Sequence, residues 1–158
     1  MPKLPAEALL ALALAASCTA APRPAPAGPA TTFVIPTELP NGRVEITVAA
    51  SYAIGTPITI PIAIVATRGT IAGPLKARVM ASGINEAGFP AEVLVRDLAV
   101  TPQTATAGTR RTTTLTWDTR DAKGVIVPAD AYSLVIEFQS DEVAASRPVM
   151  TGATLELR

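Results

Sequence analysis

Histidine is absent from this chain, and cysteine occurs once, at Cys18. Without histidine, the chain cannot build a Ser-His-Asp or Cys-His catalytic arrangement or a histidine-based metal site. A single cysteine also excludes a zinc site made from paired cysteines and any disulfide within the chain. We therefore expect no enzymatic activity, no metal and no other cofactor.

An excess of charge of either sign is also lacking, because thirteen Lys and Arg residues balance thirteen Asp and Glu residues. Nucleic-acid binding requires a basic surface, and Arg110-Arg111 is the only basic doublet in the chain. We expect neither a nucleic-acid partner nor a small-molecule substrate. Another protein is the partner that remains.

The first seventeen residues have the composition of an export signal. Lys3 provides a positively charged start, and residues 8–16 form an uncharged apolar run. As a helix, this run would cover roughly 14 Å, under half of a bilayer core. A signal peptide at residues 1–17 is therefore expected rather than a transmembrane helix.

The segment that ends this run is Ala15-Ala16-Ser17-Cys18. It resembles a bacterial lipobox, in which the cysteine is lipidated and becomes the first residue of the mature protein. The family usually has leucine or another branched residue at the position of Ala15. The resemblance implies an exported lipoprotein that is anchored to a membrane of the bacterial cell envelope through Cys18. The alternative is cleavage after Ala20, which would remove Cys18 and give a secreted protein.

Residues 18–32 are rich in proline and alanine. Proline fixes φ and lacks an N–H, so a segment of this composition favours an extended polyproline conformation. The fourteen residues that follow Cys18, residues 19–32, reach about 40 Å in that conformation. We interpret the segment as a tether between the lipid and a folded domain, and its alternative as an unanchored disordered tail. The prolines are Pro22, Pro24, Pro26 and Pro29.

From residue 33 to residue 158, apolar side chains recur with a period of two, which is typical of half-buried strands. Glycine and proline separate these segments at the spacing of turns. Seven to eight such strands predict an immunoglobulin-like antiparallel β-sandwich, whose two sheets pack face to face. Since the immunoglobulin cysteine pair is missing, its core must depend on packing alone.

The same alternation assigns side chains to the core, with Ile71 and Ile126 expected outside it. Gly73-Pro74 is expected to form a turn before the third strand. Pro57 and Pro61 cannot donate to a ladder, so the strand at residues 58–64 is expected at a sheet edge or with a bulge. The side chains expected to face the core are Val44, Ile46, Val48, Ile58, Ile60, Ile62, Ile64, Leu75, Ala77, Val79, Leu94, Leu98, Val100, Leu115, Trp117, Tyr132, Leu134, Ile136, Phe138, Ala153, Leu155 and Leu157.

Residues 117–132 read W-D-x-x-D-x-x-G-x-x-V-P-x-x-x-Y. We call the lettered residues other than the valine the structural motif. The tryptophan is expected in the core, and the aspartates are expected to accept hydrogen bonds from loop N–H groups. The glycine permits a positive φ, and the tyrosine hydroxyl is expected to bond back to the backbone as in a tyrosine corner. The motif comprises Trp117, Asp118, Asp121, Gly124, Pro128 and Tyr132.

This motif resembles the penultimate hairpin of two related bacterial sandwich families. One is the BsuPI-type domain, named after an intracellular proteinase inhibitor, and the other is the Ig-like domain of flagellar hook-cap proteins. Residues 53–62 are similar to a BsuPI-type strand, which favours that family, although both families usually have glycine where Asp130 stands. The resemblance implies an Ig-like sandwich and, for the BsuPI type, inhibition of a peptidase.

Asp118, Asp121 and Gly124 also have the spacing of a partial calcium loop. Calcium requires six to eight oxygen ligands, and even with Asp130 these carboxylates supply few of them. Turn capping is the interpretation we favour.

Taken together, these features predict a non-catalytic cell-envelope lipoprotein whose sandwich binds or braces another envelope or secreted component. The alternative is an extracytoplasmic peptidase inhibitor of the BsuPI type. An inhibitor presents a rigid exposed loop, and the two longest loops expected here span residues 83–90 and 101–110.

Overall fold

The computed structural model describes residues 31–144 and 147–158. The predicted signal peptide, Cys18 and most of the predicted tether lie outside these residues. Within the described part of the chain, there is no helix long and apolar enough to cross a membrane. The strands are β1 (Thr32–Leu39), β2 (Gly42–Ala49), β3 (Ile58–Ala66), β4 (Thr70–Ile84), β5 (Pro90–Leu98), β6 (Gln103–Thr106), β7 (Thr109–Trp117), β8 (Ala131–Ser140) and β9 (Val149–Glu156).

These strands form two antiparallel sheets. The four-stranded sheet has the order β1-β2-β3-β7, and the five-stranded sheet has the order β5-β4-β8-β9, with β6 paired to β4. The apolar faces of both sheets contribute to one core. The predicted Ig-like β-sandwich is confirmed, with nine strands among the described residues rather than seven or eight.

The four-stranded sheet follows the predicted alternation closely. Along β2, buried side chains alternate with half-buried ones, and Val44, Ile46 and Val48 face the core. Leu115 and Trp117 are buried on β7, while Thr112, Thr114 and Thr116 are exposed. The inward faces of β8 and β9 in the other sheet were also predicted correctly, apart from Ala153, which is only half-buried.

The expected edge position of the strand at residues 58–64 is wrong, since β3 lies between β2 and β7. Neither ladder of β3 contains a bulge. However, β2 pairs with β3 only from Ile62 onward. Pro61 therefore lies where β3 has a ladder partner on one side alone, and a proline is tolerated at such a local edge.

Around Gly73-Pro74 the sequence-based expectations fail. These residues lie inside β4 rather than in a turn, and the register against β8 shifts between Ala72 and Lys76. Ile71, expected outside, is 0% exposed because it continues the inward face of the same strand. Leu75, expected in the core, is 40% exposed because it lies within the bulge.

A second bulge moves Leu94 out of the core. Val79 pairs with Arg96 and Met80 pairs with Leu94, so Val95 is an extra residue on β5. One extra residue reverses which side chains face inward. Leu98, which lies after the bulge at the end of β5, is buried as predicted. Leu94, which lies before the bulge, is 48% exposed.

The short strand β6 was not predicted. It pairs with the first residues of β4 and buries Ala105 completely. Its four residues, Gln-Thr-Ala-Thr, contain a single apolar side chain, which is too little for a periodic signal.

The two sheets are also joined by a buried polar cluster centred on Asn41. Its side-chain N–H groups donate to the carbonyl of Thr70 at 2.8 Å and to the carboxylate of Asp141 at 2.8 Å. The hydroxyl of Ser140 donates to its side-chain oxygen at 2.9 Å. Asn41 and Ser140 are both fully buried, so these bonds satisfy groups that water cannot reach.

Candidate functional site

The hairpin of β4 and β5 projects from one end of the sandwich. Its pairing continues as far as Ile84 and Pro90, whereas the pairing of β4 with β8 ends at Ala81 and Tyr132. The last three residues of β4 therefore have no partner on the β8 side. At about 3.3 Å per residue, the hairpin extends about 10 Å beyond that last pair. We call residues 82–92 the hairpin tip.

Four large apolar side chains are exposed at the tip or at its base, and we call them the apolar cluster. Phe89 at the turn is 66% exposed. The opposite sheet does not bury this part of the hairpin. The register of the hairpin places Val93 on one of its faces and Ile84 and Leu94 on the other, so both faces carry exposed apolar side chains, as sites of interaction often do. The cluster consists of Ile84, Phe89, Val93 and Leu94.

The turn of the hairpin is held by Asn85. Its side-chain oxygen accepts hydrogen bonds from the backbone N–H groups of Ala87 and Phe89, both at 3.0 Å. The backbone N–H of Asn85 donates to the carbonyl of Phe89 at 2.9 Å. The backbone N–H of Gly88, whose φ is 81°, donates to the Asn85 carbonyl. Both backbone polar groups of Phe89 are thus bonded within the turn, and its side chain is what the tip presents.

The hairpin segment itself carries charge of one sign, and the cation beside its base is Lys123 of the adjacent loop, which lines a groove with Ser82 and Leu94. Residues 79–95 contain Glu86 and Glu92 and no lysine or arginine. Glu86 lies in the turn itself, between Asn85 and Ala87. The candidate surface is therefore apolar with acidic side chains beside it.

The structural motif lies next to the base of this hairpin, in the loop between β7 and β8. The buried indole of Trp117 donates to the carbonyl of Arg120 at 2.9 Å. The Asp121 carboxylate accepts the N–H groups of Lys123 and Val125, both at 2.9 Å, and Asp118 accepts that of Arg120 at 3.2 Å.

Gly124 and Tyr132 have the backbone conformation and the hydrogen bond that were expected of them. Gly124 has a φ of 82°. The hydroxyl of Tyr132 donates to the carbonyl of Pro128 at 3.0 Å, which is the bond of a tyrosine corner. Its ring meets that of Trp117 edge to face at 5.4 Å, and burial raises the pKa of Tyr132 above its usual value.

The loop that carries the motif fastens β5 at its bulge. The N–H of Ala122 donates to the carbonyl of Val95 at 2.9 Å. From β5, the guanidinium of Arg96 donates to the carbonyl of Asp121 at 2.7 Å and lies 3.9 Å from the carboxylate of Asp118. These contacts cover part of the outer edge of β5 and support the base of the projecting hairpin.

The two loops expected as inhibitor candidates differ in the structure. Residues 83–90 lie within the hairpin tip, with their ends inside β4 and β5. Residues 101–110 form β6, a tight turn at Ala107 and Gly108, and the start of β7, so they present no long loop. Sequence reasoning missed Arg96 and Asn85 as supporting residues. The Asn85-x-x-Gly88 spacing, typical of a tight turn, was the available signal for the latter.

The carboxylates considered for calcium are engaged by backbone N–H groups: Asp118 and Asp121 as described, and Asp130 by Ala131 at 2.8 Å. Among the residues that the structure describes, no group of three or more acidic, cysteine or histidine side chains is placed to hold a metal ion.

No protein-family model and no curated protein matches this chain. The lipobox and BsuPI-type resemblances therefore stay predictions from the sequence.

Proposed function

We propose that this protein is a non-catalytic lipoprotein of the cell envelope, whose Ig-like sandwich binds another envelope protein. The observation that carries the binding function is the projecting hairpin tip with its exposed apolar cluster. Because the turn that carries Phe89 is already hydrogen-bonded, little backbone freedom is lost when this side chain binds. The envelope location depends on the export signal and the lipobox resemblance of Cys18.

The anchoring part of the proposal is tested by fractionating cells that express the full chain. We expect the wild-type protein in the membrane pellet and the Cys18→Ala variant in the soluble fraction. Thr19→Ala keeps the cysteine and serves as the matched control, which is expected to remain in the pellet. A wild-type protein that is already soluble would contradict lipid anchoring.

Peptidase inhibition is the second candidate, and the rigid turn at Asn85 is the observation that favours it. A substrate-like mode would need the backbone groups of Phe89, and both are already bonded to Asn85. Inhibition would therefore have to use the side chains of the tip against a surface of the peptidase.

A titration of residues 31–158 against subtilisin-like and trypsin-like proteases separates the two functions. Stoichiometric inhibition that survives long incubation, and that Phe89→Ala removes, would support the inhibitor. The control Thr114→Ala lies on the exposed face of β7 and should change nothing. No inhibition at micromolar concentration by an intact domain would reject the inhibitor and leave the binding function.

A further inference from the structure

The start of the described chain and the hairpin tip lie at the same end of the sandwich. Ala50 donates to the carbonyl of Thr31 at 2.8 Å, and Tyr52, two residues later, donates to that of Glu156. Glu156 pairs with Ala131 at the start of β8. The next residue of β8 pairs with β4 at the point where the hairpin leaves the sheet.

The opposite end carries the short turns between β1 and β2, between β3 and β4, and between β6 and β7. A chain that enters from a lipid at Cys18 reaches the sandwich at the end of the hairpin tip. The predicted tether is about 40 Å long when extended. This length is the greatest distance that it allows between the membrane and that end of the sandwich.

We propose that the hairpin tip faces the anchoring membrane and binds an apolar pocket with a basic rim on a protein at that membrane. This inference rests on the proposed lipid anchor. It specifies which end of the sandwich binds and what kind of surface on the partner protein it contacts. Phe89 is the anchor side chain, and Glu86 and Glu92 are the groups that meet the rim. Aromatic side chains in desolvated pockets contribute most of the binding energy in many interfaces.

The charges of the tip favour a protein over the lipid itself. Insertion into the bilayer would take Glu86, in the turn, out of water without a partner, which is costly for a carboxylate. Anionic head groups would also repel both glutamates, and residues 79–95 supply no cation to attract them. A pocket lined by lysine or arginine can pair with the same carboxylates and gains rate and specificity from them.

Site-specific photo-crosslinking in cells that express the full-length chain tests this inference. The crosslinker replaces Ala87 in the tip, whose side chain none of the turn bonds uses. The matched control position is Ala107 in the exposed turn at the opposite end. We expect one defined protein adduct from position 87, identified by mass spectrometry as a protein of that membrane, and none from position 107.

The specificity of the adduct is then tested with Phe89→Ala and Glu86→Lys, each combined with the crosslinker at position 87. We expect each substitution to weaken binding to the partner, measured as a lower yield of the adduct, on the order of tenfold or more. An effect of this size is typical of a residue central to an interface. Thermal unfolding of each purified variant checks that the sandwich remains folded.

An unchanged adduct in both variants, or lipid adducts alone, would overturn the inference. Protein adducts from position 107 alone would also overturn it, while a binding function would stand. Adducts from neither position would reject both the inference and the proposed binding function.

Discussion

The two sheets of this sandwich share one core but differ in regularity. All ladders of the four-stranded sheet run without a register shift. In the five-stranded sheet, β4 is bulged against β8 after Ala72, and β5 carries an extra residue, Val95, against β4. Both sheets carry an ion pair and exposed apolar side chains, with Phe33 and Val34 on β1 of the regular sheet and Leu94 on β5 of the bulged one, and it is the bulged sheet that extends into the hairpin tip. Bulges re-aim side chains, and here they accompany the candidate site.

The largest effect is expected from the regular sheet, at Trp117. Trp117→Ala would leave a cavity and remove the edge-to-face contact with Tyr132, at a cost of about 3–5 kcal/mol in the free energy of unfolding. Urea unfolding measures this value. The adjacent Thr116 faces solvent, so Thr116→Ala should change stability by less than about 0.5 kcal/mol. Equal effects at the two positions would contradict the alternation assigned to β7.

The next prediction compares two residues on either side of the bulge near Gly73. Ile71→Ala removes a fully buried side chain and is expected to cost about 2–5 kcal/mol. Leu75→Ala acts on the exposed bulge and should cost less than about 1 kcal/mol. If urea unfolding gave the reverse order, Gly73-Pro74 would form the turn that the sequence predicted, and the bulge would be wrong.

A smaller loss is expected at Asn41, which joins the two sheets. Asn41→Ala leaves the buried hydroxyl of Ser140 without its acceptor, and an unsatisfied buried group costs about 1–3 kcal/mol. Asn85→Ala is the matched control, because it removes an asparagine side chain that bonds in an exposed turn. A thermal shift at Asn41 no larger than that at Asn85 would show that the cluster contributes little to stability.

The smallest expected effect is on how stability depends on pH. The prediction compares one carboxylate from each of the two sheets or the loops that follow them. Hydrogen bonds from Thr70 and Asn41 hold the pKa of Asp141 below its usual value, and the hydrogen bond from Arg43 lowers the pKa of Glu45 in the same way. A lowered folded-state pKa stabilises the protein above the unfolded-state pKa, and this contribution is lost as pH falls through the folded-state value. Melting temperatures measured from pH 6 down to pH 3 should fall less steeply in Asp141→Asn and Glu45→Gln than in the wild type. Parallel profiles would contradict this contribution.

Where the strands were regular, the amino-acid pattern was enough to assign their faces. Val44, Ile46 and Val48 alternate with polar residues, and the buried side chains from Tyr132 to Phe138 recur at every second position, because a strand with one buried face needs that period. The motif was also readable in advance. The bonds of Asp118 and Asp121 join groups within four residues along the chain, so the local sequence contains both partners.

The sequence by itself therefore determined the sandwich class, most inward faces and the internal bonds of the motif loop. The tertiary structure alone decided the position of β3 between two partners, the pairing of β6, the exposure of Leu75 and Leu94, and the projection of the hairpin. The physical reason is that a bulge or a register shift belongs to two strands at once. Val95 is an extra residue only against Val79 and Met80, and residues so far apart in the chain carry no shared periodic signal.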